Sequence, residues 1–230
     1  VIQHLIYNYI YDVFDRSFIY DNYGCRKLKG THKASARLQN FMRKHSNDKY
    51  YLQLDIRKYY YNINHNILRN FISKIIKDER IVNLIMLFVD TAKGIGLFVG
   101  NVLSQLFGLI YLSPLDHFIK RVLKIKHYIR YVDDFVLVGL EKSEAHILKS
   151  KIESFLKDNL NLELSKFRIA KIKQGCNFVG FRTWKRVKFI RKHTLHNFSK
   201  AVKLQKEASI ISILGHAKHS SSHKYLISKL

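Results

Sequence analysis

"IRYVDDFVLVG", Ile129 to Gly139, is the stretch on which the reading of this chain turns. Two apolar, β-branched runs flank a short polar break, which is the pattern of two strands joined by a tight hairpin turn. The break carries Asp133 and Asp134 side by side. Adjacent carboxylates repel, and with no cation nearby they titrate as a coupled pair of which one tends to keep its proton. A hard divalent cation removes that cost, because Mg²⁺ is held by one or two carboxylates while substrate phosphates and waters fill the rest of its shell. A solvated Asp-Asp turn is the simpler alternative, since Asp is an ordinary turn residue.

Composition bears on the choice. In 230 residues, 47% hydrophobic and 13% aromatic content is ample for a core, either one large domain or two modest ones. With 41 Lys and Arg against 17 Asp and Glu, the formal charge is +24, which points to a polyanionic partner. Nucleic acid is the commonest such partner, and a membrane surface is the competing one. No stretch reads as a transmembrane helix and the N-terminus lacks a basic-then-apolar signal, so the expectation is a cytoplasmic protein with no membrane partner. Cys25 and Cys176 form neither a metal-ligand spacing nor a disulfide framework.

The chain shows no repeat and no linker before the serines at 220–222. Residues 1–19 are apolar and aromatic at helical spacing. "DNYGCRKLKGTHKASARLQNFMRK" then crowds Lys and Arg around Gly24 and Gly30 and runs into an amphipathic helix. Leu68, Phe71, Ile72, Ile75 and Ile76 repeat at helical spacing, as do Ala145, Leu148, Ile152, Phe155 and Leu156. A long helix is predicted from Leu103 to Lys124. Pro114 within it either starts a second helix capped by Ser113 or marks a kink. The basic stretch from Val187 reads as a small helical appendage lying on nucleic acid.

"YYLQLDIRKYYYNI", Tyr50 to Ile63, places a third acid, Asp55, in a strand between Leu54 and Ile56. A lone buried carboxylate is costly, so Asp55 needs a partner. An ion pair with Arg57 or Lys58 is one solution. The other is a cluster of Asp55, Asp133 and Asp134 for two metal ions, the arrangement that in-line phosphoryl transfer uses.

"LQLDIRKYYYNI", "VGNVLSQLFGLIYLSPLDHFI", "IRYVDDFVLVG" and "CNFVGF" occur in the order and spacing of the palm motifs of reverse transcriptases, which the chain resembles over nearly its whole length. Phe98 to Gln105 reads "FVGNVLSQ", with Val99 where group II intron enzymes usually have Gln, and Ser104-Gln105 in place of Ser-Pro. In this, in "YGCRKLKGTHKA" and in the terminal "LGHAKHSSSHKYLISKL", it is similar to the reverse transcriptases of diversity-generating retroelements. The resemblance implies an α+β right hand. Fingers and palm would occupy residues 1–182, with an antiparallel palm sheet and helices on one face, and a short helical, basic thumb would occupy 183–230. Relatives carry two further finger strands upstream and begin with Met, so the sequence starting at Val1 is read as lacking them.

The resemblance also implies RNA-directed DNA synthesis from a template RNA, a cDNA primer strand and dNTPs. It implies two Mg²⁺ ions, or Mn²⁺, held by Asp55, Asp133, Asp134 and the Ile56 carbonyl. Nucleotide contacts fall on Lys58, Tyr59, Tyr60, Val99, Gly100, Gln105 and Lys166, and template or primer contacts on Arg26, Lys27, Lys29, Lys33, Ser104, Phe178 and Gly180. Tyr60 matches the steric gate under the sugar, or is a plain core aromatic. Lys166, in "LSKFR", matches the lysine near the incoming phosphates, or is a surface lysine. Val99 implies error-prone copying, or merely packs under Gly100. A small basic accessory protein and a prokaryotic or phage-encoded origin complete what is implied. The alternatives are a group II intron-like or other prokaryotic reverse transcriptase, and a non-catalytic RNA-binding platform with a palm fold.

Overall fold

Along Tyr50–Ile56 (β1), Leu52, Leu54 and Ile56 point into one layer and Tyr51, Gln53 and Asp55 into the other, in a computed structural model that describes residues 2–92 and 94–230. This strand lies inside a four-stranded antiparallel sheet with Tyr128–Tyr131 (β2), Asp134–Leu140 (β3) and Leu164–Lys171 (β4), in the order β2-β3-β1-β4. β2 and β3 are the predicted hairpin, joined by Val132 and Asp133 alone.

The larger core covers the face bearing Leu52, Leu54, Phe135 and Leu137. It is roofed by helices Ile2–Asp15 (α1), His65–Ile75 (α3), Glu79–Val89 (α4), Val102–His117 (α5) and Lys142–Leu160 (α6). In α6 the periodic Ala145, Leu148, Ile152 and Leu156 are buried, and Phe155 stacks on Phe118 at 4.3 Å. The opposite face is also covered. Thr31–Arg43 (α2) lays Ala34, Leu38, Phe41 and Met42 against Tyr51, Ile129, Val136 and Val138. The expectation of helices on one face is thereby corrected: α2 covers the second face, because its apolar stripe meets the side chains that β1, β2 and β3 turn away from the larger core.

α5 runs through Pro114 without a break and widens to π-helical geometry at Phe118–Val122. The run Val102–Val122 spans 21 residues and is long and apolar enough to cross a membrane, contrary to the sequence reading; 67% of its apolar window is buried. It is apolar all round because α1, α3 and α6 enclose it.

A second, three-stranded sheet follows, formed by Cys176–Phe178 (β5), Phe181–Thr183 (β6) and Lys188–Ile190 (β7). Cys176 and Phe178 belong to the α2-side core. Phe181 and Ile190 instead join Phe198, Ala217 and Leu226 from helices Lys192–Lys203 (α7), Glu207–Ala217 (α8) and His223–Ile227 (α9) in a separate small core. The β5–β6 hairpin thus bridges the two bodies of packing, and the division expected after residue 182 falls inside β6.

Candidate active site

The hairpin turn is held in a conformation its residues would not choose. Val132, its first central residue, has φ +57°, as type II′ turns require, and a β-branched residue there is strained by about 1–3 kcal/mol. Arg130 fixes it: one guanidinium nitrogen donates to the Val132 carbonyl at 2.8 Å. The other two donate to Asp116 of α5 at 2.8 and 2.6 Å, and the Tyr128 hydroxyl donates to the same carboxylate at 2.7 Å. Both charged side chains are 0% exposed. From the other side, residues 21–24 run along the free edge of β2, with Tyr23 N donating to Arg130 O and Arg130 N to Asp21 O. Gly24 meets the turn itself: a Cβ there would lie 2.6 Å from the Val132 amide nitrogen.

Asp55 and Asp134 are direct partners across β1 and β3 and therefore share a face of the sheet. Asp55 accepts from the Ser165 hydroxyl at 2.9 Å, while Arg57 reaches Glu163 at 3.5 Å and Lys58 is exposed, so the ion pair considered for Asp55 does not form. Gln53, one pleat away, donates to Asp134 Oδ1 at 2.9 Å and to the Asn177 carbonyl at 2.8 Å, and accepts from the Cys176 thiol at 3.7 Å. Burial pushes the Asp134 carboxyl up to about 7, with the charges of Asp55 and Asp133 adding to it and Gln53 and Arg191 opposing it. Asp133 is raised by burial and by Asp55.

Asp133 occupies the second central position of the turn while Asp134 begins the strand, and the charge of Asp55 bears on both carboxylates. Among the described residues no three His, Cys, Asp or Glu side chains are grouped as a metal-ligand set. Asp55 and Asp134, two facing carboxylates without an ion-pair partner among the described residues, nonetheless fit a hard cation that takes one or two protein carboxylates and completes its shell from substrate. They open on a cavity of about 550 Å³ lined also by Gln53, Lys166, Arg168 and Arg191. Lys166 is the cross-strand partner of Asp55 on β4, and the ladder slips register beside it, between Asp55 and Ile56.

The tyrosine triplet divides cleanly. Tyr59 is core, its hydroxyl donating to the Gly108 carbonyl, and Tyr61 is 67% exposed. Tyr60 is half-buried, its ring against Gly108 so closely that a Cβ there would be 3.0 Å from Cε1, and its hydroxyl is raised by burial and by neighbours that include Asp133. Lys58 precedes them in left-handed backbone, φ +45°. Val99 is 65% exposed and does not pack under Gly100, whose φ is +109°. Asn101 caps α5 by accepting from Ser104 N at 2.6 Å, which buries Ser104 and leaves Gln105 exposed on the first turn.

Of the finger cations, Arg26 is placed inside the fold. Its guanidinium grips Asp15 at 2.7 and 3.1 Å and the Ile19 carbonyl at 2.8 Å, so it locks α1 to the loop and is not offered to nucleic acid. Lys29 lies 3.6 Å from the centre of the Tyr20 ring, and its ammonium is lowered by burial and by Arg26. Lys27 and Lys33 are exposed. Phe178 is fully buried, and Gly180, φ +88°, lies against His216 of α8. Asp116, Arg130, Gly24 and Gln53 escaped the sequence reading; only the internal Asp of "LSPLDHF" and Arg130 before the turn hinted at the buried pair.

No curated protein matches the chain. Among solved structures it is similar to a telomerase from Candida albicans in complex with the TWJ fragment of telomeric RNA, with TM-score 0.60, 14% identity, 83% of this chain and 38% of that one. It is also similar to an apo telomerase from Candida tropicalis truncated from its C-terminal domain, with TM-score 0.57, 18% identity, 82% of this chain and 42% of that one. The chain thus spans about two fifths of these telomerase chains, and at such identity the likeness shows the right-hand fold. The sequence profile described as reverse transcriptase (RNA-dependent DNA polymerase) matches residues 1–183, which contain the whole palm sheet, the strained turn and the facing aspartates. With that match and that fold together, the chain belongs to the reverse transcriptase family.

Proposed function

We propose that this protein copies RNA into DNA, extending a cDNA primer on a template RNA with dNTPs. The observation that carries the reading is the pairing of Asp55 with Asp134 across β1 and β3, on the cavity face of the family's domain. A half-buried carboxylate pair on the two central strands of a protein of charge +24 suits nucleotidyl transfer and serves no purpose in simple RNA binding. That absence of purpose weighs against a non-catalytic platform.

In this reading Asp55, Asp134, Asp133 and the Ile56 carbonyl hold Mg²⁺ or Mn²⁺, which would activate the primer hydroxyl and offset the charge of the leaving pyrophosphate. Lys166 and Arg168 line the same cavity as the aspartates and meet the triphosphate. Tyr60, wedged against Gly108, fixes a ring under the sugar and excludes a 2′-hydroxyl. Gln53 orients Asp134, and the hairpin Cys176–Phe181, tied to Gln53 through the Asn177 carbonyl, presents the primer end. Incorporation of labelled dNTP into a DNA primer annealed to RNA tests the reading: the chain incorporates with Mg²⁺ and stops in EDTA, and incorporation that survives EDTA would overturn it.

The finer proposal is an error-prone enzyme of a diversity-generating retroelement, in the cytoplasm of a prokaryotic or phage-infected cell, working with a small basic accessory protein. The stretch "FVGNVLSQ" supports it. Val99 presents an exposed β-branched surface at the mouth of α5 and offers no hydrogen-bond donor for checking the nascent pair. Sequencing of products from the parent and from Val99→Gln tests it; the variant copies more accurately, and an unchanged error spectrum removes Val99 from the fidelity mechanism.

A further inference from the structure

At the end of the palm sheet away from the aspartates lies a second cavity, of about 730 Å³, lined by Arg43, Lys173, Lys185 and Arg186 together with Trp184 and Phe189. Its distance from the first follows from the register. Lys166 faces Asp55 and Lys171 faces Tyr50, so the two ends of the β1–β4 ladder are about 17 Å apart, and the cavities share no lining residue.

The cavity has four cations and no carboxylate in its wall. Lys185 donates to the His45 carbonyl at 2.7 Å and Arg43 to the Lys185 carbonyl at 2.8 Å, which ties the end of α2 to the β6–β7 hairpin. Lys173 and Arg186 carry no side-chain hydrogen bond or ion pair among the described residues. The potential of this corner registers on a neighbour: after burial, the charges of Lys49, Lys185 and Lys44 lower the basicity of His45.

The aromatic wall is rigid. The Trp184 indole donates to the Lys173 carbonyl at 3.1 Å and meets Phe189 edge-on at 5.9 Å. Gly175, φ +73°, lies so close that a Cβ there would come 2.4 Å from Trp184 Cε2. Phe189 remains 40% exposed. Unpaired cations beside a fixed, accessible aromatic ring are what unstacked nucleotides require, phosphates meeting the charges and a base meeting the ring.

We propose that this corner is a second RNA-binding site, holding one or two nucleotides of single-stranded RNA with phosphates on Lys173 and Arg186 and a base against Phe189. It goes beyond the polymerase reading and stands even if Asp55 and Asp134 were inert.

The test is fluorescence anisotropy of the full chain with labelled single-stranded oligouridine at fixed salt. Lys173→Glu/Arg186→Glu is compared with Lys142→Glu/Lys151→Glu, an equal charge change on exposed positions of α6. The cavity pair weakens binding by about tenfold or more, the α6 pair by no more than about threefold, and Phe189→Ala, which changes no charge, weakens it several-fold. Equal losses from the two pairs would mean diffuse attraction and overturn the site. Polyglutamate bound as tightly as the RNA, and lost equally in the cavity pair, would assign the corner to an acidic protein instead. On a short pre-annealed duplex the cavity pair extends primer at the parent's rate; loss of extension there would merge this cavity with the active site and overturn its independence.

Discussion

Gln53 stands between the catalytic candidate Asp134 and the β5–β6 hairpin, its one amide nitrogen 2.9 Å from Asp134 Oδ1 and 2.8 Å from the Asn177 carbonyl. Both protons of the amide are used, so the carboxylate and the hairpin cannot move independently. Gln53→Leu keeps the bulk and removes both bonds. A hydrogen bond to a charged group contributes about 1.5–3 kcal/mol, and each ~1.4 kcal/mol is tenfold in rate. The maximal extension rate should therefore fall by roughly tenfold to a hundredfold. A Gln53→Leu enzyme that kept the parent's rate would show that the link does nothing.

The buried pair Arg130–Asp116 underlies the strained Val132 turn. Removing one member leaves the other charge buried and unpaired, which costs about 3–5 kcal/mol. Asp116→Ala should lower the chemical-denaturation stability by that much, and Asp116→Leu should recover none of it because Arg130 stays charged. A loss under about 1 kcal/mol in either variant would contradict the role assigned to the pair.

Gly24 has no Cβ because Val132 occupies the space one would take. The contact is to backbone as well as side chain, so relief needs the turn itself to shift. Gly24→Ala should cut extension sharply while the melting temperature drops far less than in Asp116→Ala. Parallel rate measurements and melts decide; full activity in the Gly24→Ala variant would detach this loop from the turn.

The hairpin, β1 and α6 were readable in the sequence because each keeps one period along an unbroken stretch and one face meets one core. Asp55 and Asp134 were named from motif spacing. Their partners were not, because partnership here is a matter of register between distant strands: Gln53 meets Asn177 only once β1 and the second sheet are assembled. Arg26 misled for the converse reason. A basic, glycine-containing loop looks like a nucleic-acid contact, yet Asp15, eleven residues upstream, captures the guanidinium first. Asp116 sits near the end of α5 with no motif to mark it, and only the fold brings Arg130 and Tyr128 onto it.

A pH dependence follows from His45 and His127, which share a hydrogen bond of 2.7 Å between ring nitrogens. Burial, then the neighbouring His45 and lysines, lower His127 from 6.5 to about 4, and His45 is lowered in the same direction. The unfolded chain takes up protons first as pH falls, so this contribution to stability is complete above about 6.5 and is lost progressively toward 4. Melting of the parent should therefore fall more steeply over that range than melting of His127→Gln. Identical slopes would mean that the pair is not neutral in the fold.

Whether the aspartates facing each other across β1 and β3 perform RNA-templated DNA synthesis is decided by single-turnover extension of a DNA primer on an RNA template, with the parent and with Asp134→Asn side by side. Asparagine keeps the size and the contact with Gln53 while removing the charge. The expected result is product from the parent and at least a thousandfold loss in the variant, about 4 kcal/mol of transition-state stabilisation, with RNA affinity unchanged. Equal extension by the two proteins would contradict the assignment.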